Sequence, residues 1–205
     1  MPKAAIFRLS LYLRQLQWLR TQGRQTVSSR NLGAAVNSSG AQVRKDLAYF
    51  GQFGRPGVGY RIDDLVVELR KILRTDQTWN VAVLGAGNLG RALSAYKGFR
   101  DQGFNIVSLF DNDPQKIGRR VGGLTVQPLE ELALAVHDLL IRIAVLCVPA
   151  AAAQGVAEAA VRAGIRGILN FAPVTLDLPN DVVHASVDLA IRLEMLSFEL
   201  GSGGP

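Results

Sequence analysis

The chain has 205 residues, one cysteine, two histidines and a formal net charge of +6, and this charge is unevenly distributed. Residues 1–75 carry 13 lysines and arginines against 4 acids, a net charge of +9, whereas residues 76–205 carry 10 against 13, a net charge of −3. The uneven charge predicts two domains, of which only the first has a polyanionic partner. One cysteine and two histidines exclude an intrachain disulfide and a zinc site built from Cys and His alone.

Membrane association is not expected from the sequence. No stretch resembles a signal peptide, and no run of 18 apolar residues occurs. The single cysteine, Cys147, lies in an apolar run and is expected in the core. The sequence therefore predicts a soluble, cytoplasmic protein.

Three helices are predicted in the basic half, at about residues 4–20, 28–36 and 38–50, because apolar residues recur there at helical spacing. Serines can cap the second and third helices: Ser28 or Ser29 for one, and Ser38 or Ser39 for the other. Two helices joined by so tight a turn predict a helix-turn-helix. We expect three polar residues of the third helix to face solvent: Gln42, Arg44 and Lys45.

Four glycines fall between residues 51 and 59, directly after the third helix. They favour a β-hairpin wing, whose tip could approach a phosphate backbone or a narrow minor groove that would attract Arg55. The alternative is a mobile linker, but the strand-like alternation of residues 60–62 favours the wing. A fourth helix, capped by Asp63 or Asp64, should close the domain.

The acidic half begins with a short apolar strand, residues 81–84, and continues into glycines with the spacing G-x-G-x-x-G. This arrangement predicts a dinucleotide-binding loop. The first glycine permits the tight turn, the second leaves room for a pyrophosphate, and the third lets the next helix pack on the strand. The phosphates would lie on amides of the predicted cofactor-binding residues, which are Gly85, Ala86, Gly87, Asn88, Leu89 and Gly90.

A second strand, Phe104 to Phe110, ends on Asp111, which stands 21 residues past the last glycine of the loop. An acid at about this distance can accept a hydrogen bond from a ribose 2′-hydroxyl. It would repel a 2′-phosphate, which favours NAD(H) over NADP(H), although Lys116, Arg119 and Arg120 lie nearby. The alternative is that Asp111 serves a strand-end turn or a helix N-cap.

Strands and helices alternate through the rest of this half, which predicts a compact Rossmann domain with a parallel sheet covered on both faces. Only a short strand is expected at residues 124–126. Val148 and Pro149 end another strand, at the sheet edge where open α/β sheets bind ligands, and they join the predicted cofactor site. A last helix, Ser186 to Leu200, has an apolar face that can pack on its own domain, the commoner case, or on a second copy of the chain.

Short motifs spread in order over both halves carry a resemblance to a known family. They are Gln-Val-Arg-Lys-Asp-Leu at 42–47, Gly-Val-Gly-Tyr at 57–60, the glycine loop, Phe-Asp-Asn-Asp-Pro at 110–114, Gly-Ile-Leu-Asn-Phe-Ala-Pro at 167–173 and Val-Asp at 187–188. Over nearly its whole length the chain resembles the Rex family of redox-sensing transcriptional repressors.

The resemblance implies a winged helix-turn-helix domain at residues 1–76, a Rossmann NAD(H)-binding domain at 77–184, and a C-terminal helix and tail at 185–205 swapped into the partner of a homodimer. It also implies binding of NADH and NAD⁺ and of pseudo-palindromic double-stranded operator DNA. NADH would release the protein from the operator. No enzymatic activity and no metal are expected.

Roles for individual residues follow from the same resemblance. The DNA contacts would come from the third helix and the wing: Gln42, Arg44, Lys45, Arg55, Gly57, Gly59 and Tyr60. Tyr96 and the partner's Leu189 would lie near the nicotinamide, and Asp188 of the swapped helix would reach towards Arg14 of the partner. Pro56 departs from the family, whose members usually have a basic residue directly before the Gly-Val-Gly-Tyr turn.

The alternative function is that of a small NAD-dependent oxidoreductase with a basic N-terminal module. Such an enzyme needs an acid/base group within hydrogen-bond reach of the reacting carbon. The candidates are His137 and His184, which lie in polar connections and are expected to be ordinary surface histidines.

Overall fold

The structure is a computed structural model that describes residues 3–55 and 57–202, so that Pro56 lies outside the described residues. The chain divides between Gln77 and Thr78 into two compact units. No helix within the described ranges is both long and apolar enough to cross a bilayer.

The N-terminal unit packs helices around a small antiparallel sheet of strand order β1-β3-β2. Its elements are α1 (Lys3–Thr21), β1 (Thr26–Val27), α2 (Ser29–Ala34), α3 (Gly40–Ala48), β2 (Gly54–Arg55), β3 (Gly59–Arg61) and α4 (Ile62–Ile72). The core is formed by Leu9, Leu16, Leu32, Leu47, Ile62 and Leu69, among others. A winged helix-turn-helix, as predicted, is confirmed, and the alternative of a mobile linker after α3 is wrong.

Serine side chains fix the starts of the two helices of the helix-turn-helix. Ser28 Oγ accepts a hydrogen bond from the backbone N–H of Asn31 at 3.1 Å, and Ser39 Oγ accepts one from Gln42 at the same distance. Asn37, between the helices, has a φ of 53°, a conformation that asparagine tolerates better than most residues. Both helices end two residues before the predicted positions.

The start of α4 differs from the prediction. Arg61 occupies the N-cap position and its side chain makes no capping hydrogen bond, whereas Asp63 and Asp64 lie in the first helical turn. Their charges there still favour the helix, because the N-terminal end of a helix dipole is positive. The predicted capping role of these two acids is therefore wrong.

The C-terminal unit is an α/β sheet with helices on both faces. Its elements are β4 (Trp79–Leu84), α5 (Asn88–Ala95), α6 (Gly98–Asp101), β5 (Phe104–Asp111), β6 (Arg120–Val121), β7 (Leu124–Pro128), α7 (Leu132–Asp138), β8 (Ile143–Leu146), α8 (Ala150–Arg162), β9 (Gly167–Asn170), β10 (Val183–Ser186) and α9 (Leu189–Ser202). The strand order is β10-β9-β8-β4-β5-β7-β6.

The strands pair in parallel from β10 to β7, and this order is that of a doubly wound Rossmann fold. The first strand of the unit, β4, lies between β5 and β8, with Leu84 paired to Phe110 on one side and to Leu146 on the other. The strand order reverses at this point, and ligands of such sheets bind beyond the carboxyl ends of the strands there. The predicted Rossmann architecture is confirmed.

Two parts of this sheet were not predicted. β6 and β7 form an antiparallel hairpin whose turn, Gly122 and Gly123, has positive φ at both residues, as a two-residue type I′ turn requires. β10 pairs with β9, so that Ser186 belongs to a strand and not to the last helix, which begins at Leu189. The predicted boundary between residues 184 and 185 falls inside β10.

Candidate functional sites

The glycine loop between β4 and α5 has the geometry that its spacing requires. Gly85 has a φ of +106°, and a side chain there would meet the carbonyl oxygen of Cys147 at the end of β8. A side chain at Gly90 would meet the Gly85 carbonyl oxygen, whereas open space lies beside Gly87. Two glycines therefore close the strand-to-helix turn, and the middle one leaves the backbone accessible to a ligand.

Asp111 closes the other side of this loop from the end of β5. One carboxylate oxygen accepts the Ala86 backbone N–H at 2.7 Å and the Lys116 ammonium at 3.1 Å. The other oxygen accepts the Asp113 backbone N–H at 2.9 Å, so Asp111 also forms the strand-end turn that was the alternative. A carboxylate offers about four acceptor positions, which leaves capacity for one ligand hydroxyl.

Opposing effects set the charge state of Asp111. Burial raises its pKa, but hydrogen bonds from the Asp113 and Ala86 amides and from Lys116 more than offset this effect. The net result is a pKa below the usual range. Asp111 is therefore an ionised acceptor at neutral pH.

A cleft of about 680 Å³ opens at the carboxyl ends of β4, β5 and β8. It brings together most of the predicted cofactor-binding residues: Gly85, Gly87, Asn88, Leu89, Asp111, Val148 and Pro149. Sequence reasoning missed further lining residues, among them Asn112, Leu129, Ala152 and Val156. Of these, Leu129 follows β7 and the last two belong to α8, so their proximity depends on sheet order rather than on local spacing.

Other predicted residues lie outside this lining. Ala86 is buried and acts through its backbone N–H, and Gly90 is buried under the loop. Tyr96 is 61% exposed and packs edge-on against Phe99, with ring centroids 5.1 Å apart. Cys147, expected in the core, is half-buried and lines the cleft, and burial raises the pKa of its thiol to about 11.

The last helix lies open to solvent in the single chain. Every side chain of α9 described between Leu189 and Gly201 is exposed, and Leu189 itself is 60% exposed. The first alternative, packing on its own domain, is therefore wrong. Asp188 caps the helix, because its Oδ1 accepts the backbone N–H of Ala190 at 2.9 Å. Arg14 on α1 is exposed and has no ion pair within the part of the chain that the structure describes.

The candidate nucleic-acid interface is formed by α3 and the wing, which border a groove of about 660 Å³. Arg44 and Lys45 are exposed, and Arg44 Nη1 donates to Ser29 Oγ at 2.8 Å across this groove. Arg55 and Gly57 are exposed on the wing, where Gly57 has a φ of +77°. Gly59, with a φ of +87°, is half-buried against the Val27 backbone.

Two residues predicted at this interface are partly or fully buried. Gln42 is half-buried and donates to Asp46 Oδ1 at 2.7 Å, so it does not face solvent freely. Tyr60 is only 7% exposed and belongs to the core, where burial raises its pKa. β-Strand alternation turns this tyrosine inward, beneath the wing rather than onto its surface.

Sequence reasoning missed a buried anchor that joins α1 to α3. Asp46, 1% exposed, accepts bonds from Arg8 Nε at 2.6 Å, Arg8 Nη2 at 2.7 Å and the Tyr12 hydroxyl at 2.9 Å, besides that from Gln42. The Arg8 guanidinium, followed by the other donors, outweighs burial and lowers the pKa of Asp46. The negative charge therefore fixes α3 against α1. Arg8 and Asp46 stand 38 residues apart, so spacing gave no signal.

Both halves of the chain match family models, and nearly the whole chain matches curated relatives. A family model described as "Putative DNA-binding protein N-terminus" matches residues 1–48, and one described as "CoA binding domain" matches residues 76–174. Redox-sensing transcriptional repressor Rex of Desulforamulus reducens is 50% identical over 199 residues, which cover 97% of this chain and 95% of the relative. Rex of Chloroflexus aggregans is 42% identical over 199 residues, which cover 97% and 94%.

Two solved structures of RSP, a Rex-family repressor, are similar over nearly the whole chain. The complex of RSP with β-NAD⁺ and operator DNA is 37% identical, with a TM-score of 0.93, and the match covers 98% of this chain and 93% of that chain. The complex with β-NADH is 36% identical, with a TM-score of 0.89, and the match covers 98% and 95%.

The fold and its sites define a class: a winged helix with an exposed basic helix, joined in one chain to a Rossmann domain with a dinucleotide-type cleft. With half of its residues shared over nearly its full length with a curated relative, the chain belongs to the Rex family of redox-sensing transcriptional repressors. The resemblance inferred from the motifs is thus confirmed. The expectation that the protein is not an enzyme is confirmed as well, since these relatives are transcriptional repressors.

Proposed function

We propose that the protein is a cytoplasmic repressor that binds double-stranded operator DNA as a homodimer and is released by NADH. The observation that best supports this function is that Asp111 is held as an ionised acceptor at the cleft, in a chain that also contains a winged helix. RSP, which shares this fold, has been solved with β-NAD⁺ and operator DNA and with β-NADH.

The cofactor would bind along the glycine loop. Its adenosine ribose would donate a hydroxyl to Asp111, and its pyrophosphate would lie on the backbone beside Gly87, where the amides of the α5 N-terminus are accessible. Val148 and Pro149 at the end of β8 would border the nicotinamide half. Binding of both NADH and NAD⁺ follows, because the two share every atom of the adenosine half.

Discrimination between the two cofactors must therefore come from the nicotinamide end. The ring is cationic in NAD⁺ and neutral in NADH, and an apolar site disfavours the cation because it removes the charge from water. Tyr96 and the partner's Leu189 would form such a site. The exposure of both residues in a single chain agrees with a pocket that is completed only in the dimer.

The homodimer is supported by the state of α9. Its exposed large apolar residues are Leu189, Ile191, Leu193, Met195, Leu196, Phe198 and Leu200. A helix of this composition is rarely left open to solvent in a monomer. Exchange of α9 between two chains would cover these residues and would allow Asp188 to reach Arg14 of the partner.

DNA recognition would use Arg44 and Lys45 on α3, with Arg55 and Gly57 of the wing at the backbone or minor groove. Two such helices in a symmetric dimer require an operator with two half-sites in inverted orientation. Gln42 and Tyr60 would support this surface from within, and Gly59 would shape the wing.

Selection of duplexes from a random DNA pool by the immobilised protein tests the proposed DNA-binding function. We expect enrichment of an inverted repeat, with the protein protecting two half-sites about one helical turn apart. Parallel selection with an Arg44→Ala, Lys45→Ala variant gives the background. A wild-type protein that enriches no sequence above this background would contradict the proposed function.

A further inference from the structure

One hydrogen bond in the candidate nucleic-acid interface joins the start of α2 to the middle of α3. The Arg44 guanidinium donates from Nη1 to Ser29 Oγ at 2.8 Å, although the two residues are 15 positions apart in the chain. Both line the groove of about 660 Å³ between α3 and the wing. Arg44 is exposed, whereas Ser29 is half-buried in the first turn of α2. The bond therefore connects an exposed cation to a helix terminus.

The backbone of Ser29 is held in place on both sides. Ser28, which precedes it, caps α2 by accepting the backbone N–H of Asn31 at 3.1 Å. The start of α2 also packs closely on α3 at Gly40, where a side chain would lie 3.0 Å from the Arg30 backbone nitrogen and 3.1 Å from the Ser29 carbonyl carbon. The Ser29 hydroxyl is therefore presented to α3 from a backbone that capping and packing fix.

The helical geometry of α3 directs Arg44 to this hydroxyl. Residues four positions apart lie on the same face of a helix, so Arg44 shares the face of Gly40, which contacts α2. Side chains in a helix also tilt towards its N-terminus, which turns Arg44 back towards the start of α2. Burial raises the pKa of the Tyr60 hydroxyl and the Arg44 charge opposes this rise, so the guanidinium also lies near the base of the wing.

The Ser29 bond leaves most of the guanidinium available to a ligand. Over the described residues, Arg44 forms no ion pair with a carboxylate. A guanidinium carries five N–H donors in one plane, and the bond to Ser29 uses one of them. Two parallel donors are enough for a bidentate contact with a base edge. Arg44 can therefore keep its bond to Ser29 while it contacts DNA.

A side chain that is already oriented binds at a lower entropic cost. Ordering one long side chain at an interface reduces affinity about two- to tenfold. We propose that Ser29 is a positioning residue, which orients Arg44 in the free protein and thereby strengthens its preference for the base pair that it contacts. This proposal rests on the proposed DNA-binding function.

A double-mutant cycle, measured as affinity for the duplex that the wild-type protein selects, tests this role. We expect Ser29→Ala to weaken binding about two- to tenfold, because Arg44 must then be ordered during binding. In an Arg44→Ala background the same change should have almost no effect, since the side chain that Ser29 orients is absent. Ser29→Thr keeps the hydroxyl and should restore the wild-type affinity.

Ser28→Ala is the matched control, because it removes the cap of α2 and leaves the bond between Ser29 and Arg44. Its effect on affinity should be the same in both backgrounds, since it acts on the helix end and not through Arg44. The thermal midpoint of each variant shows whether it is folded.

The base preference is a measurement that a purely structural role would leave unchanged. The base pair concerned is the position at which Arg44→Ala loses its preference in the selected duplex. Ser29→Ala should lower the preference at this pair, whereas Ser28→Ala should weaken binding to all duplexes alike.

The mobility of the Arg44 guanidinium tests the positioning without DNA. Relaxation of the ¹⁵N nuclei of the arginine Nε–H groups in the full-length protein should show a less mobile Arg44 in the wild type and Ser29→Thr than in Ser29→Ala. Arg24, an exposed arginine of the same unit, should be equally mobile in all of them.

Equal losses of affinity from Ser29→Ala in the two backgrounds would overturn the positioning role. An Arg44 that is as mobile in the wild type as in Ser29→Ala would overturn it as well. A fixed Arg44 in a wild-type protein that selects no DNA sequence would instead contradict the DNA-binding function on which the proposal rests. The two hypotheses therefore fail on different measurements.

Discussion

Asp46→Asn is the change that tests the anchor between α1 and α3 most sharply. The native carboxylate accepts four hydrogen bonds, two of them from Arg8 in a bidentate pair at 2.6 and 2.7 Å. Asparagine keeps the shape and one acceptor oxygen, but its amide group would point donors at the Arg8 guanidinium. The substitution thus removes the charge with almost no change in volume.

The expected cost follows from burial. Removing one partner of a buried ion pair typically destabilises a protein by about 3–5 kcal/mol. Asp46 is 1% exposed, but Arg8 is 28% exposed and recovers some hydration, so we expect a loss of about 2–4 kcal/mol. This is a large part of the about 5–15 kcal/mol that stabilises a typical domain. Operator binding should weaken too, because α3 loses its fixed position.

The pH dependence has a definite sign. The pKa of Asp46 is lowered in the folded state, mainly by Arg8, so its contribution is fully present above the unfolded-state pKa of about 4. That contribution is lost as the pH falls through the folded-state pKa. The difference in unfolding free energy between wild type and Asp46→Asn should therefore shrink below about pH 4.

Urea unfolding in a Trp79→Phe background measures this difference, because Trp18 then reports on the N-terminal unit alone. Asp63→Asn, which changes an exposed acid of α4, is the matched control and should cost less than about 0.5 kcal/mol. An Asp46→Asn protein within 0.5 kcal/mol of the wild type at pH 7, or a difference equally large at pH 3, would refute the reasoning.

Three further changes separate the two functions. Asp111→Ala should weaken NADH binding about tenfold or more, because a hydrogen bond to a charged acceptor is lost. DNA binding by this variant should persist but should no longer respond to NADH. An unaltered NADH titration would show that the ribose is bound elsewhere. Arg44→Ala should cost roughly 1–3 kcal/mol at the operator with NADH binding unchanged, and full operator affinity in both this variant and Lys45→Ala would exclude α3 from readout. A chain ending after Asp188 keeps β10 but should lose dimerisation and tight operator binding. Sedimentation of the full-length chain as a monomer at micromolar concentration would contradict the dimer.

Much of the fold could be predicted because its long elements have strong periodicity. The apolar strands predicted the Rossmann sheet, and the tight turn between two helices with helical spacing predicted the helix-turn-helix. The β6–β7 hairpin was not predicted because β6 has only two residues, Arg120 and Val121. β10 was not predicted because all its side chains are exposed, so its sequence has no apolar pattern typical of a strand.

The candidate site shows the same division between local and distant signals. Glycine spacing and the position of Asp111 identified the cleft, because both depend on one βαβ unit. The inward orientation of Gln42 towards Asp46 could not be seen, since it depends on Arg8 and Tyr12 on another helix. The exposure of α9 is likewise not determined by its own sequence, because an apolar face is buried only where a neighbour is available.

The central claim, release from the operator by NADH but not by NAD⁺, is tested most directly by titrating the wild-type protein–operator complex with each cofactor in turn. To shift an equilibrium from 1:99 to 99:1, NADH must favour the released form by about 5.5 kcal/mol, and operator DNA must weaken NADH binding by the same factor. We expect NADH to dissociate the complex at concentrations where NAD⁺ does not, and excess NAD⁺ to restore binding. Equal effects of the two cofactors on operator affinity would contradict redox sensing.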